Sequence, residues 1–150
     1  MGYFLRTTLF VTTIQWYTSF HMPTVEPMIL VVEDDPLLSD LVSRKFSAEK
    51  ISMEYAPTGE IALDFVKKDP KPSLILLDIR LPGIDGFEVL RQIKAEPTTS
   101  NIPVIVFSNF GEDSDIQRAK DLGANKFIVK VSLSLDQVVD LVRSSLAEKH

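Results

Sequence analysis

Residues 74–90 read LILLDIRLPGIDGFEVL. The first four are apolar without polar alternation, the pattern of a short strand buried on both faces. An acid, Asp78, ends the run. Pro82, Gly83 and Gly86 then mark a turn, and 86–95 return to helical spacing with Leu90 and Ile93 on one side. A fully apolar strand, a polar loop and an amphipathic helix in that order form one unit of a parallel sheet.

The same unit recurs on either side. Apolar runs at 28–32, 51–55, 104–107 and 127–129 predict four more strands. Helical spacing predicts helices over 36–49, with Leu38, Leu41, Val42 and Phe46 on one face, and over 58–68, with Ala62, Phe65 and Val66. Two more are predicted at 112–122, carrying Ile116, Ala119 and Leu122, and at 135–146, carrying Leu135, Val138, Val139, Val142 and Leu146. Asp35 and Pro36 suit an N-cap and a first helical position, and Pro70 and Pro72 separate the second helix from the third strand. Five βα units are too few for a closed eight-stranded barrel. An α/β fold with an open, doubly wound, five-stranded parallel sheet is therefore expected.

Composition bounds the function. The chain has 150 residues, 45% hydrophobic and 25% charged, enough for one domain with a sizeable core. Its net charge of −5 argues against direct contact with nucleic acid, which needs clustered Lys and Arg. With no cysteine, disulfides and thiolate chemistry are excluded, and a cytoplasmic protein is expected. The two histidines, His21 and His150, lie near the ends, which argues against histidine catalysis in the core. Residues 1–26 differ from the rest in holding the only Trp, many Thr and almost no charge. Their uncharged run at 7–22 is broken by Thr, Gln15 and Ser19 and falls short of the ~20 apolar residues of a membrane span. A poorly ordered or accessory extension is expected there, with Met22 and Met28 as alternative starts, and the main domain at 27–150.

Ligands of open parallel sheets bind at the carboxyl ends of the strands. Those ends carry Glu33, Asp34 and Asp35 after the first strand, Asp78 after the third, Ser108 after the fourth and Lys130 after the fifth. Asp35 is accounted for as a helix cap. Glu33, Asp34 and Asp78, converging on one edge, would raise one another's pKa or recruit a cation. Magnesium takes one or two carboxylates and completes its shell with water and phosphate oxygens, so the pattern points to phosphoryl chemistry.

With ILVVEDDP at 29–36, LILLDIRLPGIDGFEVL at 74–90, PVIVFSN at 103–109 and GANKFIVK at 123–130, the chain resembles the receiver domains of two-component response regulators over about 28–148. The resemblance implies the flavodoxin-like strand order 2-1-3-4-5. It makes Asp78 the phosphoacceptor, with Asp34 binding Mg2+ directly, Glu33 acting mainly through a water and the Arg80 backbone carbonyl adding an oxygen. Ser108 and Lys130 would contact the phosphoryl group, and Phe127 would be the switch aromatic. Implied partners are a sensor histidine kinase or a histidine phosphotransfer protein as donor, and a downstream protein target; a monomer or weak dimer is expected, with no membrane contact. No turnover enzyme is implied beyond the domain's own phosphorylation and dephosphorylation.

Receivers usually carry a proline after the lysine, often in a cis bond, whereas this chain has Val131. A cis bond before valine costs about 2.5–4 kcal/mol, so a trans bond is expected. Arg80 and Phe110 stand where bulk is expected to slow hydrolysis of the phosphoaspartate. Three other readings compete. A dehalogenase-type phosphatase needs a second Asp where Arg80 stands. A flavin or nucleotide binder needs a Gly- or Ser-rich phosphate loop where EDDP stands. A degenerate receiver would act as a phosphorylation-independent interaction module.

Overall fold

The computed structural model describes residues 26–148. The elements are β1 (Met28–Val32), α1 (Pro36–Ala48), β2 (Ser52–Ala56), α2 (Gly59–Val66), β3 (Leu74–Leu77), α3 (Gly86–Ala95), β4 (Val104–Ser108), α4 (Asp113–Asp121), β5 (Lys126–Val129), a 3-10 turn (Lys130–Ser132) and α5 (Leu135–Ala147). All strands are parallel, in the order β2-β1-β3-β4-β5. This is the order implied by the resemblance. The extension at 1–26 lies, except for its last residue, outside the described residues, as do His21 and His150.

Successive strand residues face opposite sides of a sheet, and the central strands use this to build two cores. Leu30, Val32, Ile75, Leu77, Val104 and Val106 pack with Ala62, Val66, Phe87, Leu90, Ile93 and Ala119 of α2, α3 and α4. Their neighbours Ile29, Val31, Leu74, Leu76, Ile105 and Phe107 pack with Val42 and Phe46 of α1 and Val138, Val139 and Val142 of α5. The continuous apolar runs of β1, β3 and β4 thus reflect burial on both faces. The edge strands β2 and β5 are only half-buried.

Local chemistry starts each helix. Asp35 caps α1 by accepting from the Leu37 and Leu38 amides, with Pro36 following; Thr58 and Asp85 cap α2 and α3; Ser134 and Gln137 form a capping box at α5. Two helix faces differ from expectation. Leu41 is 52% exposed and Ile116 39% exposed, so neither belongs to the core. Hydrophobic spacing alone cannot tell a core position from the margin of an apolar stripe. No helix of the described residues is long and apolar enough to cross a membrane.

Candidate functional site

Glu33 directly follows β1, and its amide donates to the Ala56 carbonyl of β2 at 3.1 Å. Asp78 follows β3, with its amide on the Val32 carbonyl at 3.0 Å. Sheet pairing therefore carries both acids to the same end of adjacent strands. Asp34 stands between Glu33 and the cap of α1. One carboxylate oxygen from each of Glu33, Asp34 and Asp78 lies within 4.8 Å of the others, Glu33 and Asp78 buried and Asp34 exposed. The convergence read from sequence is thus present in three dimensions.

The loop after Asp78 is built tightly. A Cβ on Gly86 would lie 2.2 Å from the Asp78 carbonyl oxygen, so only glycine lets α3 start this close to β3. Gly83 adopts φ +75, a left-handed conformation glycine accepts freely. The Glu60 carboxylate of α2 accepts from the Ile84 amide at 3.1 Å and pins the loop from the side. Sequence reasoning did not find Glu60, because nothing in helical spacing reveals a contact to a loop 24 residues away. Within this frame the Arg80 amide donates to Asp78 Oδ1 at 3.1 Å.

Lys130 enters from the end of β5. Its Nζ donates to Asp78 Oδ2 at 2.8 Å and also to Glu33 Oε2, and its side chain is buried. Among the described residues the one cis peptide bond precedes Pro70, so the Lys130–Val131 bond is trans, as expected. The turn that aims the lysine is fixed instead by Ser132, whose hydroxyl donates to the Val129 carbonyl at 2.6 Å, and by the Leu133 amide on the Lys130 carbonyl at 3.3 Å. A 3-10 turn closed by a serine takes the place of the usual proline.

Charge in the pocket is finely divided. Burial pushes Glu33 above the usual carboxylate range, against the opposing hydrogen bonds from Lys130 and the Asp35 amide. Burial also works against the Lys130 ammonium, but the hydrogen bonds to Asp78 and Glu33 outweigh it and Lys130 titrates above its ordinary value. One buried ammonium thus faces two buried carboxylates, with the exposed Asp34 beside them. The set carries excess negative charge, and its hard oxygen donors fit a divalent cation of the magnesium type.

Ser108, the last residue of β4, is 1% exposed, and its Oγ has no hydrogen-bond partner among the described residues. An unpaired buried hydroxyl costs free energy unless something else satisfies it. Phe127, paired with Val106 across the β4–β5 ladder, is half-buried against the core, and its ring lies 3.0 Å from where a Cβ on Gly111 would sit. The structure therefore gathers Glu33, Asp34, Asp78 and Lys130 into one pocket. Ser108 ends the strand next to β3, and Phe127 lies one strand further out.

The sequence profile of the response regulator receiver domain matches residues 29–143. Sporulation initiation phosphotransferase F of Bacillus subtilis is 36% identical over 121 residues, covering 81% of this chain and 94% of that protein. Response regulator PleD of Caulobacter vibrioides is 37% identical over 102 residues, which are 68% of this chain but only 22% of PleD. Among solved structures, the phosphorylated cyanobacterial phytochrome response regulator RcpA superposes with a TM-score of 0.70 at 31% identity, over 79% of this chain and 90% of that one. The manganese-bound form of response regulator Rcp1 superposes with a TM-score of 0.68, also at 31% identity, over 79% of this chain and 90% of that one.

Proposed function

The chain belongs to the response regulator receiver domain family, and from that premise we propose that it is a phosphorylation switch whose acceptor is Asp78. The donor is a phosphohistidine on a sensor histidine kinase or a histidine phosphotransfer protein. The observation that carries this reading is the meeting of Glu33, Asp34 and Asp78 with the Lys130 ammonium at the carboxyl ends of β1, β3 and β5.

An Asp78 carboxylate oxygen attacks phosphorus; the new O–P bond forms as the N–P bond breaks, and the imidazole leaves with the electron pair. Magnesium, when bound, supplies positive charge that offsets repulsion between carboxylate and phosphoryl oxygens. Asp34 and Asp78 would hold it, with the Arg80 backbone carbonyl contributing and Glu33 acting at one remove. Lys130 fixes the Asp78 carboxylate and donates to a phosphoryl oxygen. The unpaired Ser108 hydroxyl donates to another, and Phe127 packs inward as that hydroxyl is drawn over, altering the face formed by α4, β5 and α5 for a downstream protein target. The phosphorylated RcpA and manganese-bound Rcp1 support carrying both groups over to the matching pocket here.

Three exposed apolar side chains follow the pocket residues closely along the chain: Leu37 in the first turn of α1, Phe110 two residues past Ser108, and Val131 next to Lys130, at 76%, 65% and 84% exposure. Exposed apolar side chains near a site mark a protein partner, which favours a protein presenting a phosphohistidine over a small phosphodonor. The domain is not a turnover enzyme and acts only on its own acyl phosphate. Incubation with magnesium and acetyl phosphate, read by intact mass, should add one phosphoryl group to the wild type and none to Asp78→Asn. An unchanged adduct in Asp78→Asn would place the acceptor elsewhere.

A further inference from the structure

The Arg80 side chain extends from the loop after Asp78 toward the first turn of α4, where its Nη2 lies 4.0 Å from Asp115 Oδ2. At this length the contact is held by charge without a hydrogen bond. Its two ends are unlike: the Arg80 side chain is 67% exposed and that of Asp115 is 21% exposed. Arg80 also lines, with Phe110, Gly111 and Glu112, an open cavity of about 480 Å³ beside the acceptor pocket. The geometry points to Asp115 as a positioning residue that holds the Arg80 guanidinium away from Asp78 until a phosphoryl group arrives to compete for it.

This inference rests on Asp78 being the acceptor and concerns how readily the site is filled. Arg80 already donates its amide to the Asp78 carboxylate, so its side chain starts beside the acceptor. A phosphoryl group offers a guanidinium two parallel charge-assisted hydrogen bonds, against the single long contact that Asp115 gives it. A screened pair near the surface is weak enough to exchange. The other end is also lightly fixed, because Ala119 is the one fully buried residue of α4, which otherwise rests on half-buried Leu122 and on Arg118 lying 4.0 Å over the Phe87 ring. Coupling is reciprocal: if Asp115 restrains Arg80 from the phosphoryl group, filling the site loosens the tether of α4.

The test is the affinity of the full chain for beryllofluoride with magnesium, read by amide resonances in wild type, Asp115→Asn, Arg80→Ala and the double variant. Asp115→Asn should bind the mimic roughly threefold tighter, the scale of one surface ion pair. Arg80→Ala should bind it more weakly, and in that background Asp115→Asn should have no effect. Equal affinity of wild type and Asp115→Asn, or the same gain with and without Arg80, would overturn the inference while leaving Asp78 as acceptor. A wild type that neither binds the mimic nor takes a phosphoryl group from acetyl phosphate would overturn the acceptor reading, and this inference with it.

Discussion

Removing the Lys130 ammonium leaves Glu33 and Asp78 buried together with no counter-charge from β5. Breaking a buried pair by deleting one partner typically costs about 3–5 kcal/mol. Lys130→Ala should therefore lower stability by about 3 kcal/mol in urea denaturation without magnesium, and added magnesium should restore part of that loss; a cost below about 0.5 kcal/mol would mean that the carboxylates are not held by this lysine. The identity of the pocket residues was legible in the sequence because each stands at a strand end. How Lys130 is aimed was not. With Val131 in place of proline, the bond from Ser132 to the Val129 carbonyl does the aiming, and a lone serine in a turn carries no such signal. Glu60 was hidden for a related reason, since a carboxylate at the start of a helix reads as a favourable dipole contact and gives no hint of its reach to Ile84.

At the level of elements, α3 carries the next load of the site, because its first residue abuts the Asp78 carbonyl. Its first turn is held by Asp85, accepting from the Glu88 amide at 2.9 Å, while the Glu88 carboxylate accepts from Arg91 and Gln92. The Arg91 guanidinium, then the Gln92 amide, hold Glu88 down to about 2, below its ordinary 4.5. Since the folded value is depressed, the stabilisation is present above about 4.5 and is lost as pH falls toward about 2. Glu88→Gln should accordingly lower the denaturation midpoint at pH 7 and leave it nearly unchanged near pH 2; an equal loss at both would show that charge plays no part. Strands and helices were readable from apolar runs and spacing, with ends shifted by a residue or two. β2, predicted at 51–55, runs Ser52–Ala56 because the Ile51 amide is taken by the Phe46 carbonyl at 2.8 Å, behind a turn in which Lys50 has φ 58. Leu41 and Ile116 belong to the predicted apolar spacing yet stay exposed, because amphipathic stripes have margins that spacing does not mark.

Across the whole molecule, the sheet order puts every acidic site residue just past the ends of the adjacent inner strands β1 and β3, while β4, β5 and the turn after β5 bring Ser108, Phe127 and Lys130 from one side. That order was implied by resemblance, since apolar runs alone fix parallel strands without fixing their sequence across the sheet. The exposure of Leu37, Phe110 and Val131 was not foreseen, because exposure cannot be read from hydrophobicity. Leu37→Asp should slow phosphorylation by a histidine phosphodonor protein about tenfold while leaving the rate with acetyl phosphate unchanged. Equal slowing with both donors would mean that Leu37 supports the pocket and not the partner. The most direct check of the account reduces the phosphorylated chain with borohydride, which converts an acyl phosphate to an alcohol, and maps the product by peptide mass spectrometry. Homoserine at position 78 alone is the expected result, and homoserine at Asp34 or Asp35, or a phosphate recovered on Ser108, would contradict it.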